Sequence, residues 1–275
     1  MIRLTAKVAV ILLTATLPNQ AIAAAAVDHA DNAPYADGWQ ASDNGGSGFQ
    51  PWVFAFSGDS TSLAHAGPQF IDAPPALPEN SLGAPAFALT TSDRASFFDT
   101  SEASRSLLSP LAIGETFHLD VDGSALDPAA PAFSIGNAIQ LFGSDGIERW
   151  AVFTNNGFQS DHWTATGNAD TGIPAGNAFH IAFTLATPNT FDLVLTRIGG
   201  GTPLFSQTGA TLAGTADIAL SRFRVSAYGT GSSADGSKEL FFNNVQIVPE
   251  SGAVALCVWG AVGLLGVGVR RVAKL

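Results

Sequence analysis

Between residues 24 and 247 no apolar stripe persists at helical spacing. Instead, short runs of β-formers in period-two alternation are broken again and again by Gly, Pro, Asn or Asp. The clearest runs are residues 52–56, 86–90, 95–98, 116–121, 138–142, 149–153, 162–166, 179–185, 190–198, 222–228 and 239–248. Turns at this spacing, with no helix between strands, exclude a βαβ sheet and predict an all-β domain of two packed antiparallel sheets. The prolines at 74, 75 and 78, the stretch from Asp127 to Pro131, and Gly199, Gly200 and Gly201 read as surface excursions. One domain spanning 24–247 is expected, since β-sandwiches of this size commonly form a single unit.

Both ends of the chain are of another kind. Arg3 and Lys7 precede an apolar run from 8 to 13, then Pro18 and the small-x-small triplet Ala21, Ile22 and Ala23, so residues 1–23 read as a signal peptide. At the other end, residues 252–269 carry no charge. At ~1.5 Å per residue they would form a helix roughly 27 Å long, close to the ~30 Å core of a bilayer. Arg270, Arg271 and Lys274 follow it, and a basic flank favours the cytoplasmic side, which puts the rest of the chain outside.

Of 12 Lys and Arg, five belong to these two ends, as does one of 23 Asp and Glu. Residues 24–248 therefore hold seven basic against 22 acidic side chains, a formal charge of −15 that argues against nucleic acid as a partner. The single cysteine, Cys257, falls in the apolar tail, so the exported domain has no disulfide available and depends on packing.

Val248, Pro249 and Glu250, followed by one apolar helix and the Arg270–Arg271 stop, resemble the PEP-CTERM sorting signal, with Ser251 in place of the second proline of the usual motif. The resemblance covers residues 248–275. It implies recognition by an exosortase, a membrane-anchored precursor, and release to the cell surface or to an extracellular matrix rich in exopolysaccharide. The stretches 31–39 and 43–52 are similar to the opening of many PEP-CTERM passenger domains of unassigned activity. Their Asn44-Gly45 and Gly46-Ser47-Gly48 supply tight turns, and Trp39, Phe49 and Trp52 supply apolar surface to clamp those turns onto a sheet. The strand 240–247, aromatic with Asn243 and Asn244 at its middle, resembles the closing strand of concanavalin-like jelly rolls.

No catalytic set is legible. Glu79, Glu102, Glu115, Glu148 and Glu239 stand singly, without the Glu-x-Asp-x-x-Glu strand that would resemble a laminarinase. His29, His65, His118, His162 and His180 include no pair at metal-ligand spacing. The expectation is therefore no enzyme, no resident metal and no cofactor. One exception would be a structural calcium ion on Asp28, Asp31, Asp37, Asn243 and Asn244, should the first and last strands be neighbours. Asp120-Val121-Asp122-Gly123 starts like an EF-hand loop, but Pro131 stands where the bidentate glutamate belongs and Ala125 where the glycine belongs, so it reads as a strand-ending turn.

Two functions stay open. One is a surface or matrix structural protein. The other is a lectin-like module in which Trp39, Trp150 or Trp163 stacks a sugar ring while Asn155, Asn156 or Asp161 bonds its hydroxyls.

Overall fold

A computed structural model describes residues 25–57, 69–72, 82–91, 99–123, 135–155, 162–229 and 239–249. The signal peptide, the sorting tail beyond Pro249 and the run 95–98 lie outside the described residues. Among those described, no helix is long and apolar enough to cross a membrane.

The chain forms two antiparallel sheets. The first runs, in spatial order, β13 (Phe205–Thr211), β12 (Thr190–Thr196), β11 (Ala178–Thr187), β6 (Thr116–Gly123), β15 (Glu239–Val248), β4 (Ala86–Thr90) and β3 (Gln69–Asp72). A short β1 (Ala26–Asp28) also pairs with β15. The second runs β10 (Ala169–Pro174), β9 (His162–Ala165), β8 (Glu148–Asn155), β7 (Ile135–Gly143), β14 (Leu220–Gly229), β5 (Asp99–Ser106) and β2 (Val53–Ser57). This bears out the all-β, two-sheet expectation. Every alternating run within the described residues became a strand, and Gly199, Gly200 and Gly201 form a loop at positive φ.

Alternation places the core between the sheets. On β11, Phe179, Ile181, Phe183 and Leu185 point inward and are buried, while His180, Ala182 and Thr184 face out; β12 repeats the pattern with Phe191, Leu193 and Leu195. From the second sheet, Trp150, Val152, Phe223 and Val225 meet them in one continuous apolar cluster. On β15 the inward set is Leu240 and Phe242, then Val245 and Ile247, a change of parity. A bulge at Asn243 and Asn244 makes that change: Asn243 pairs with Asp120 but Gln246 pairs with His118, and Asn244 sits at φ 54°.

The segment after β1 closes the sandwich around a buried ion pair. Asp28 and the Arg105 guanidinium, both fully buried, bond directly. Asp28 also accepts from Tyr35 Oη at 2.6 Å and Asn32 Nδ2 at 2.8 Å. Tyr35 Oη in turn accepts from Gly45 N and Trp52 Nε1, each at 3.0 Å. Arg105 donates to Gln50 O at 2.6 Å and to Asn44 Oδ1, and its guanidinium lies 5.0 Å from the Phe49 ring and 5.1 Å from Trp52. Burial pushes the Asp28 carboxyl up and the Arg105 guanidinium down from their ordinary values, each opposed by the other's charge. Gly46 and Gly48, at φ 71° and 80°, let the loop ride against β1, where a Cβ would lie 1.8 Å from Val27 O and 2.4 Å from Ala26 Cβ. The expected clamp of turn and aromatics onto a sheet is this structure.

Candidate functional site on the outer face of the second sheet

Four adjacent strands of the second sheet, β5, β14, β7 and β8, build the site. On β14, Phe223, Val225 and Ala227 fill the core, so Arg222, Arg224, Ser226 and Tyr228 are turned outward. Register sets Arg224 opposite Gln140 on β7 and opposite Ser104 on β5, with Glu102 one outward position along. A row of hydrogen bonds results. Arg224 Nη1 meets Glu102 Oε1 at 2.9 Å, Arg224 Nε donates to Gln140 Oε1 at 2.7 Å, and Gln140 Nε2 donates to Glu148 Oε2 on β8. Carboxylate, guanidinium, amide and carboxylate thus follow one another diagonally across four strands, about 14 Å at the ordinary strand spacing.

Aromatic rings hold the row in place. Arg222 lies over the Phe142 ring at 4.5 Å and Arg224 over the same ring at 4.8 Å, so both guanidinium groups rest on one apolar support. Beside them the face is lined by small side chains, Ala138, Ala151 and Ser226. Further along, the Tyr228 ring crosses Gly136 to donate to Thr154 O at 2.9 Å; a Cβ on Gly136 would lie 2.3 Å from the ring. Glu102 also borders a shallow recess with Ala55, Ser57 and Thr100. The face offers fixed acceptors and donors in alternation over a floor of short side chains, which suits a flat polyhydroxylated ligand.

A second polar cluster crosses the outer face of the first sheet. His118 Nδ1 lies 3.0 Å from His180 Nε2, and His180 Nδ1 lies 2.6 Å from Asp120 Oδ1. Asn244 Nδ2 donates to Asp120 Oδ2, and Asn244 Oδ1 lies 2.8 Å from His29 Nδ1. A carboxylate only accepts, so His180 Nδ1 and Asn244 Nδ2 donate to Asp120, which leaves Asn244 Oδ1 to accept from His29 Nδ1. Burial, aided by His180, pushes His118 down to about 4. A recess at the other end is lined by His29, Asp31, Asn243, Asn244 and the 82–85 segment.

The expected sugar-stacking tryptophans are corrected. Trp39 is 2% exposed and Trp150 and Trp163 are 0% exposed. Trp39 packs edge-on against Trp52 and Trp163 edge-on against Phe179, while Trp150 lies tilted against Phe183, so their faces are spent in the core. Asn155 ends β8, while Asn156 and Asp161 lie outside the described residues. Val248 closes β15 opposite Thr116 and Pro249 follows it; Glu250, Arg270 and Arg271 lie outside the described residues. The first and last strands are neighbours, and three of the five side chains named for calcium already have partners. Asp28 is taken by Arg105, Asn243 Oδ1 accepts from Ala30 N at 3.0 Å, and Asn244 Oδ1 meets His29. Among the described residues no three His, Cys, Asp or Glu converge on a metal position.

Sequence reasoning passed over Arg222, Arg224 and Gln140 and read Glu102 and Glu148 as isolated. The available signal was Arg222-Phe223-Arg224 alternating in a predicted strand of an acidic domain: two of only seven cations between 24 and 248, on one face.

No protein-family model matches the sequence, and no curated protein matches it. Among solved structures, the chain is similar to an endo-acting O-glycanase of the human gut microbiota involved in mucin breakdown, at 10% identity and a TM-score of 0.47, covering 82% of this chain and 99% of that one. It is also similar to an endo-β-1,4-glucuronan lyase from Trichoderma reesei, at 10% identity and a TM-score of 0.43, covering 72% and 94%. A third likeness is to a family 11 carbohydrate-binding module from Clostridium thermocellum, at 10% identity and a TM-score of 0.34, covering 72% and 89%. The expectation of no enzyme is corrected in its premise: Glu102 and Glu148, isolated in the sequence, belong to one hydrogen-bonded row in the fold, so carboxylates scattered along a sequence are no ground for excluding glycan chemistry. At such identities the likenesses assign this chain neither a reaction nor a substrate.

Proposed function

We propose that the chain is an exported β-sandwich of the concanavalin-like jelly-roll type that associates with exopolysaccharide through the outer face of its second sheet. The observation that carries this reading is the row Glu102–Arg224–Gln140–Glu148, in which each charged or amide group is fixed by its neighbour while keeping capacity for a sugar hydroxyl. Residues 1–23 act as the signal peptide, 24–247 as the passenger, and 248–275 as an exosortase-recognised tail that holds the precursor in the membrane until it is processed. Pairing of Ala26 with Ile247 favours this arrangement, because the start of the passenger and its exit to the tail leave from the same end of the sandwich. A tether there leaves the second sheet's face free to meet the matrix.

A second reading, in which the chain also acts on the glycan, draws on the relay of the first sheet. There Asp120 orients His180 directly and His29 through Asn244, and an oriented imidazole with a bare nitrogen is what a general base requires.

The test is binding of the full chain, purified from the envelope of an exporting host, to a glycan array and to the host's own exopolysaccharide. Saturable binding that falls at least tenfold in Arg224→Gln, with an unchanged unfolding midpoint, is expected. Binding unaffected by that substitution, or no binding, overturns the assignment of this face. Intact mass of the exported product tests the tail: loss of the residues after about Glu250 is expected, and retention through Leu275 contradicts processing. Release of new chain ends from the glycan, abolished in His29→Gln, would establish the second reading, and none would dismiss it.

A further inference from the structure

The two outward arginines of β14 are differently served. Arg224 is held by Glu102 and Gln140, whereas Arg222 makes no hydrogen bond or ion pair with a described residue. Its register partners are Ser106 on β5 and Phe142 on β7, neither of which carries a charge. Glu148, across Phe142 in register, bonds Gln140 and forms no ion pair with Arg222. Arg222 is also half-buried, its guanidinium carbon 4.5 Å from the Phe142 ring centre and two residues from a second guanidinium over the same ring. A half-buried guanidinium has given up part of its water, and a bound anion would replace that contact. A planar guanidinium with its edge free presents the fork that matches a carboxylate with two parallel bonds.

Net charge sharpens the point. The chain carries −11 overall, so its long-range field repels polyanions and would not gather them without a local site. An arginine without an ion-pair partner among the described residues, on the glycan face of an acidic domain, is suited to a ligand that brings its own carboxylate.

We infer that Arg222 is the anion-recognising group of this face and that the ligand is an acidic polysaccharide, its carboxylate seated on the outer edge of the guanidinium while the Glu102–Arg224–Gln140–Glu148 row takes the hydroxyls of the same chain. The inference rests on the glycan reading above and adds the chemical class of the glycan.

The experiment compares binding of the full chain to alginate, to the same alginate with its carboxyls reduced to alcohols, and to dextran sulfate, at physiological salt. Roughly tenfold or greater preference for alginate over its reduced form is expected from one charge-assisted bidentate contact. The preference should fall to about onefold in Arg222→Gln, and also in Ser106→Asp, which sets a carboxylate opposite Arg222 as an internal competitor while leaving the arginine in place. Unfolding midpoints of both variants report whether either merely fails to fold. Binding of native and reduced alginate alike overturns the anion inference and leaves the glycan reading standing. Dextran sulfate bound as tightly as alginate overturns carboxylate recognition in favour of charge alone. Failure to bind any of these polymers, or any glycan on the array, overturns the glycan reading itself.

Discussion

Arg105 and Arg222 lie on adjacent strands of one sheet, β5 and β14, and face opposite ways. Arg105 points into the sandwich, and every neighbour is arranged around it: Asp28, Asn44 and Gln50 accept its hydrogens while Phe49 and Trp52 cover its faces. Arg222 points out, rests on one ring and has no partner among the described residues. The same side chain is structural where its donors are used up and available for recognition where they are not. That difference separates what holds the fold from what the fold presents.

The comparison breaks most readily at the buried pair. Arg105→Ala leaves Asp28 charged in a dry site, and a loss of about 3–5 kcal/mol is expected in denaturant unfolding, typical of a buried pair deprived of one partner. A loss under about 1 kcal/mol would make the inward arginine as dispensable as a surface one. Gly48→Ala tests the loop that delivers Asn44 and Gln50 to Arg105. With positive φ and a Cβ forced against Ala26, a cost of roughly 2–3 kcal/mol is expected in thermal or denaturant unfolding, the scale of stored backbone strain.

Acid and base should act on the outer polar groups of the first sheet in opposite directions. Burial raises Asp122 to about 7, against the pull of the Leu82 amide. Its folded form therefore holds a proton that the unfolded chain has released, so stability falls as pH rises from about 4 through about 7. His118, pushed down to about 4, is bare in the folded chain while the unfolded chain takes up a proton, so stability falls as pH drops from about 6.5 toward about 4. Unfolding curves from pH 4 to 8 should lose the decline with rising pH in Asp122→Asn and the decline with falling pH in His118→Gln. Identical pH profiles in wild type and variants would contradict both shifts. The smallest stability effect belongs to the outward arginine: Arg222→Gln should alter stability by no more than about 0.5 kcal/mol, in keeping with a partly exposed side chain without an ion pair. A loss approaching that of Arg105→Ala would erase the distinction.

The strands carrying clean alternation were legible because their inward positions are apolar. β5 was not, because its sequence, Asp-Thr-Ser-Glu-Ala-Ser-Arg-Ser, hides its inward positions. Ser101 donates to Thr90 O at 2.5 Å, Ala103 is small, and Arg105 is neutralised by Asp28, so three buried residues offer almost no hydrophobic signal. β1, at three residues, and the partly exposed β13 were too short or too polar to register. The tryptophans were misread for a related reason. A domain without disulfides needs large rings inside, and a sequence does not tell a core ring from a platform when both stand in an alternating strand. The outer row was invisible because its members come from four strands, and only the register of β5, β14, β7 and β8 brings them together.

Arginine-selective chemical modification of the full chain, read by peptide mass spectrometry with and without saturating exopolysaccharide, tests the outward face most directly. Arg222 and Arg224 should react in the free protein and be protected by the glycan, while buried Arg105 is inert in both states. Equal reactivity of Arg222 and Arg224 with and without bound glycan would contradict the assignment of this face as the contact surface.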